Sequence, residues 1–158
     1  DYLKEILKEM NVPILELAGY EADDLIAAIT KQAEAQGMEI QIYTGDKDAL
    51  QLISPKTNVY LTKKGISEVE CYDETALWER YQLRPLQIID LKGLMGDTSD
   101  NIPGIPGIGE KTALKLLWEF ESVEGVLANV EKVSGKKVQG TLKSMRIRQF
   151  SAKSWLPC

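Results

Sequence analysis

Histidine is absent from all 158 residues. A Ser-His-Asp triad, a histidine general base and a zinc hydrolase site therefore cannot be assembled from this chain's own side chains. Cysteine is nearly as scarce. Cys71 and Cys158 stand far apart in no metal-ligand spacing, which argues against a disulfide framework or a zinc site and leaves two expected free thiols. No apolar run reaches the roughly 20 residues of a membrane helix. The N-terminal DYLKEILKEM is charged and helical in pattern rather than a signal peptide, so no membrane partner and a cytoplasmic location are expected. Hydrolytic chemistry here would have to use carboxylates, lysine or a metal-activated water.

With 44% hydrophobic residues the chain can bury one moderate core, enough for one domain or a domain with a small appendage. The net charge of −5 argues against a generally basic nucleic-acid binder. It is unevenly spread: residues 1–101 carry 10 basic and 19 acidic groups and residues 102–158 carry 9 and 5, as in a chain that gathers metal with one part and meets phosphates with the other, although a merely solvated acidic face is the commoner cause of such imbalance.

Tyr2, Leu3, Ile6 and Leu7 predict an amphipathic helix over residues 1–10, followed by a short apolar strand at Val12 to Leu17. After a GYE turn, Leu25, Ile26, Ile29 and Ala33 predict a helix from Ala22 to about Gln36, closed by Gly37. Met38 to Thr44 reads as a strand. This order implies a parallel βαβ unit with acidic clusters near the carboxyl ends of its strands, the edge where open α/β sheets bind ligands. A short helix over Asp48 to Ile53, a hairpin turning at Lys63-Lys64-Gly65, and a helix capped by Asp73 and running to about Tyr81 follow. Pro85 is expected to open a helix reaching Met95. From Gly96 to Gly109 the chain is turn-rich, before a helix from Glu110 to about Phe120 and another after Ser122.

Seven carboxylates fall in three short clusters: Glu21, Asp23 and Asp24 in GYEADD, Asp46 and Asp48 in TGDKD, and Asp97 and Asp100 in GDTSDN. Glu21 and Asp24, three apart at a helix mouth, face one side, with Asp23 about 100° round. Helix capping and Asx turns account for one or two acids in each cluster. Three clusters at related positions point instead to a shared site for divalent cations, because carboxylates this close repel unless neutralised. Oxygen ligands that leave room for water suit Mg2+, and several of them suit a pair of ions acting on a phosphodiester.

In IPGIPGIGEKTALKLL, Gly107 and Gly109 precede a helix with Lys111 and Thr112 in its first turn. Backbone N–H groups at such an N-terminus can cradle a phosphate. The GxxxxGK[ST] spacing of a P-loop is absent. An ordinary helical hairpin with glycines at its turn fits the local pattern equally well; beside a phosphodiesterase centre, nonspecific binding of a DNA backbone explains it better.

GYEADD, TGDKD, LTKKGISEVE and LKGLMGDTSDNIPGIPGIGEKTA, with the spacing between them, closely resemble the 5′–3′ exonuclease domains of bacterial DNA polymerase I, members of the flap endonuclease family. The resemblance covers about residues 1–143. It implies an α/β, PIN-like fold with a helix–three-turn–helix motif, and metal-dependent cleavage of 5′ flaps, nicked or branched duplexes and RNA primers. By the same resemblance Glu21, Asp23, Asp24 and Asp46 lie near one ion and Asp48, Asp97 and Asp100 around a second, some through water. The ions would be Mg2+, with Mn2+ as the alternative. Gly107, Gly109, Lys111 and Thr112 fall on the DNA-backbone motif, where the family also holds a monovalent cation such as K+. A monomer is expected, with a polymerase domain in the parent chain.

Residues 1–95 would then form a partial nuclease core, 96–143 the DNA-binding subdomain and 144–158 an aberrant tail. Two departures from the family's pattern shape these expectations. Its chains begin earlier, with a central strand carrying another aspartate and a basic arch, so this sheet should expose or re-pair its middle and cleavage should be weak or absent. The tail SMRIRQFSAKSWLPC loses the pattern. One permissible back-translation, shifted by a single base, reads EYEDQAILSKELATL, which predicts a frameshift near Lys143 that sequencing codons 140–158 would test. Without the tail, residues 102–143 carry six basic and five acidic groups, so DNA binding would depend on the glycine hairpin rather than bulk charge. A non-catalytic DNA-binding module and a metal-dependent small-molecule phosphatase are the alternative functions.

Overall fold

A computed structural model describes residues 2–63, 68–98 and 102–146. Helix α1 (Tyr2–Glu9) forms as its periodicity predicts, but it buries no residue: Tyr2, Leu3, Ile6 and Met10 are all exposed. The expected strand at Val12 to Leu17 does not form. The Val12 amide is spent on closing α1, donating to the Leu7 carbonyl at 2.8 Å, and Pro13 has no N–H to give. An apolar extended segment becomes a strand only where a neighbour accepts its ladder, so the anticipated βαβ unit is not built.

Helix α2 (Ala22–Ala35) then leads through Gly37, at φ +82°, into β1 (Ile40–Thr44). β1 pairs in parallel with β2 (Thr57–Thr62), and β2 pairs antiparallel with β3 (Val69–Tyr72), giving the order β1-β2-β3 with β1 at an edge among the described residues. The β2 to β3 hairpin is as expected, although residues 64–67 at its turn lie outside the described ones. The crossover from β1 to β2 contains a 3-10 turn, Lys47–Leu52, where a short helix was predicted. Along β2, alternation buries Thr57, Val59 and Leu61 on one face. On the other face Tyr43 and Tyr60 stack with ring centroids 4.5 Å apart.

Near the C-terminal end of α2, Glu34 accepts hydrogen bonds from the Ser54 and Thr57 hydroxyls. These bonds, that from Ser54 foremost, hold its carboxyl below the ordinary carboxylate range. A carboxyl lowered by folding adds stability that is complete above its unfolded value of about 4.3 and is lost as pH falls through the folded value. Glu34→Gln should therefore flatten the acid limb of stability below about pH 4.3, as read by urea unfolding at stepped pH. A limb as steep as the parent's would count against these bonds.

Asp73 caps α3 (Glu74–Tyr81) by accepting the Ala76 N–H at 2.7 Å, and Gln82 in the left-handed region ends it. Helix α4 (Gln87–Met95) starts two residues beyond Pro85. Helix α5 (Glu110–Phe120) is followed by α6 (Val123–Ala128), capped by Ser122, then a 3-10 turn, Val130–Lys132, and α7 (Lys136–Arg146). Gln87 at the start of α4 donates to the Glu121 carbonyl beyond the end of α5 at 2.7 Å, so these two helices run antiparallel. The core is contiguous. It passes from Val59 and Leu61 of the sheet through Leu77 of α3 and Leu94 of α4 to Leu117 of α5 and Val126 of α6. Of the two expected free thiols, Cys71 is exposed and unbridged, while Cys158 and most of the tail lie outside the described residues.

Candidate metal centre and nucleic-acid interface

The short link through Gly37 makes α2 run back along β1, and Glu34 touching Ser54 and Thr57 fixes the C-terminal end of α2 beside the start of β2. The N-terminus of α2, with Glu21, consequently lies toward the carboxyl edge of the parallel pair, where Asp46 follows β1. There the first two clusters act as caps. The Glu21 N–H donates to the Asp24 carboxylate at 3.1 Å, the return half of a capping box. Asp46 accepts the Asp48 N–H at 2.9 Å and starts the 3-10 turn.

The second and third clusters are joined by a residue outside both. Helix α4, in the run QIIDLKGLM, is apolar on nearly every side and buries six residues, Ile88 and the consecutive Asp90, Leu91, Lys92, Gly93 and Leu94. A buried charge is costly unless it is paired. The Lys92 ammonium bonds the Asp48 carboxylate and lies 3.3 Å from Asp97 Oδ2. The Lys92 side chain is only 9% exposed, against 21% for Asp48 and 30% for Asp97. Asp90 faces the other way and receives the Val123 N–H at 3.4 Å, at the start of α6.

Asp97 is held by its backbone. Its N–H and carbonyl exchange bonds of 2.9 and 2.8 Å with Ile102, and the Ile105 N–H donates to the Leu94 carbonyl at 2.9 Å. Gly96 and Gly104 let the two ends of this loop touch: a Cβ on Gly104 would sit 1.9 Å from the Met95 carbonyl oxygen. Asp100 lies outside the described residues.

Beyond the loop, buried Ile105 and Ile108 anchor the turn on either side of exposed Gly107, whose φ of +89° favours glycine. Gly109 is the N-cap of α5, and its carbonyl accepts the Thr112 and Ala113 N–H groups at 3.0 and 2.9 Å. A Cβ on either glycine would meet nothing within 4 Å, so the helix end is open to solvent. Lys111 is exposed and Thr112 half-buried beside it. Gly107, Gly109, Lys111 and Thr112 are thus brought together at one helix end.

A divalent cation fits the Asp48 and Asp97 pair, where an ammonium already sits between the two carboxylates as a stand-in cation. Among the described residues no three carboxylate, histidine or cysteine side chains are grouped to hold an ion.

Comparison with known proteins identifies the family. Residues 1–82 match the family described as 5′–3′ exonuclease, N-terminal resolvase-like domain, and residues 83–154 match 5′–3′ exonuclease, C-terminal SAM fold. The chain belongs to the 5′–3′ exonuclease family. DNA polymerase I of Bacillus caldotenax is 51% identical over 144 residues, covering 91% of this exonuclease-family chain and 16% of that protein. Among solved structures, bacteriophage T5 5′-exonuclease with bound divalent zinc ions superposes with a TM-score of 0.78 at 26% identity, over 92% of this chain and 54% of that one. The T5 flap endonuclease in a pseudo-enzyme-product complex with DNA and metal ions gives 0.77 at 26% identity, over 92% and 53%. The α/β, PIN-like fold expected from sequence is therefore the fold of this exonuclease-family chain.

Sequence reasoning missed Lys92 and Asp90. The available signal was composition: two charges inside an apolar helical run have to be buried, and a buried ammonium needs carboxylates.

Proposed function

We propose that this chain is the 5′ nuclease part of a DNA polymerase I, hydrolysing phosphodiesters at 5′ flaps, nicked or branched duplexes and RNA primers. The observation that carries the reading is the Lys92 ammonium between Asp48 and Asp97, a cation position on the same chain as the open, basic N-terminus of α5. Glu21, Asp23, Asp24, Asp46, Asp48, Asp97 and Asp100 are the proposed ligands of two Mg2+ ions. When bound, the ions would activate water and stabilise the leaving oxygen. Residues 1–95 would position the reacting phosphate. Residues 96–143 would grip the DNA backbone through the N–H groups before Lys111, with Lys111 and Thr112 adding side-chain contacts and a K+ ion held nearby. The chain would act as a monomer.

A labelled 5′-flap duplex tests this. Binding in calcium and at most weak cleavage in magnesium are the expected results. Binding with no cleavage at all would favour a non-catalytic DNA-binding role, and hydrolysis of a small phosphomonoester without DNA affinity would favour a phosphatase. Lys111→Ala should weaken binding similarly across sequences and reduce the slope of log affinity against log salt by about one. An unchanged slope would remove Lys111 from the phosphate contacts.

A further inference from the structure

Beyond β3, the large hydrophobic side chains left exposed among the described residues are Trp78, Leu86 and Trp118, and all three line one groove of about 730 Å3. Helix α3 contributes Glu74 and Trp78, one turn apart on the same face; the link from α3 to α4 contributes Arg84 and Leu86, and the end of α5 contributes Trp118 and Glu121. These walls are tied together. Trp118 Nε1 donates to the Tyr81 carbonyl at the end of α3 at 2.9 Å, and Gln87 bonds the Glu121 carbonyl at 2.7 Å. The two indoles therefore stay 54% and 48% exposed in a preformed place.

We propose that this groove docks a peptide segment of a partner protein that carries arginine or lysine among apolar residues. Charge selects the class of partner. Glu74 and Glu121 make no ion pair among the described residues, and Arg84, the one cation lining the groove there, makes none either. Helices α3 and α5 both end at the groove, at Gln82 and Glu121, so the partial negative charge of two helix C-termini adds to the two carboxylates. A cationic head can meet a carboxylate while its stem or its guanidinium plane lies on an indole face. The phosphates of a nucleic-acid strand would be repelled by the same carboxylates. Helix α5 also separates this groove from the DNA-backbone motif, because its 11 residues put about 16 Å between its two ends. A docked peptide leaves Gly107 and Lys111 free, and the groove holds a partner protein rather than substrate.

A phage-displayed library of random dodecapeptides, selected on the immobilised 158-residue chain, tests this. Enriched sequences should carry arginine or lysine flanked by leucine, proline or aromatic residues. The most enriched peptide, synthesised with a fluorescein label and followed by anisotropy, should bind Trp78→Ala about tenfold more weakly than the parent. Glu121→Gln should weaken it about threefold and make its salt dependence shallower. Leu86→Ser, at a 73% exposed position outside the core, leaves the fold intact and should weaken it about fivefold. The peptide should stay bound when a 5′-flap duplex is added. No enrichment, enrichment of acidic or neutral peptides, or equal binding by the parent, Trp78→Ala and Leu86→Ser overturns the proposal. Displacement of the peptide by flap DNA whose own affinity falls in Trp78→Ala overturns it in favour of nucleic acid, and self-association of the parent that Leu86→Ser abolishes overturns it in favour of a second copy. Cleavage and ion binding are read separately, so this groove can fail without the nuclease reading failing.

Discussion

Gly104→Ala should cost about 3 kcal/mol or more of folding stability, because the clash it creates is with backbone rather than with a movable side chain. The new Cβ would lie 1.9 Å from the Met95 oxygen and 2.3 Å from the Gly96 nitrogen. Those atoms cannot withdraw without breaking the Ile105 to Leu94 bond and the paired bonds between Asp97 and Ile102. Gly107→Ala is the comparison. It meets nothing within 4 Å and carries only the strain of φ +89°, so it should cost roughly 1 to 2 kcal/mol. Urea unfolding of both variants gives the two values. A smaller loss for Gly104→Ala than for Gly107→Ala would mean that close contact at Gly96 does not hold the Asp97 loop. The loop's failure should also weaken ion binding at Asp97, which Gly107→Ala should leave unchanged.

Leu94→Ala should cost about 2 to 5 kcal/mol, the range for emptying a fully buried leucine site. Leu94 has no exposed surface and sits on the helix that packs against both the 3-10 turn and α5. Since the core runs without a break from sheet to α6, the loss should appear in one cooperative transition, with coincident curves from far-ultraviolet circular dichroism and tryptophan fluorescence. Two separated transitions would show that the sheet part and the helical part fold independently. Ile6→Ala, on the exposed face of α1, should by contrast change stability by no more than about 0.5 kcal/mol.

Elements whose cause is local were legible. Asp73, Ser122 and Gly109 each stand where a helix begins in the structure, because a cap depends on a few neighbouring residues and their own backbone groups. Helix α5 ends at Phe120 as its apolar spacing predicts. The β2 to β3 pairing was equally readable, since a hairpin needs only alternation and a turn. Val12 to Leu17 failed for the opposite reason: it has strand composition, but a ladder is a property of two segments. Helix α1 shows the same limit, having formed on its periodicity without a surface to bury against.

The site divides along the same line. Types and spacings of residues were enough to pick out the acidic clusters, the glycine turn before Lys111, the exclusion of histidine chemistry and the family resemblance, because each depends on side chains a few positions apart. Lys92 was invisible at that range. It lies 44 residues from Asp48, and its meaning comes from the packing of α4, which buries an ammonium and obliges it to find carboxylates. The seven carboxylates mark the sequence's candidate site for divalent cations. Which of them meet, and the cation already between Asp48 and Asp97, follow from the tertiary fold, because charge pairing is set by distance and burial rather than by order along the chain.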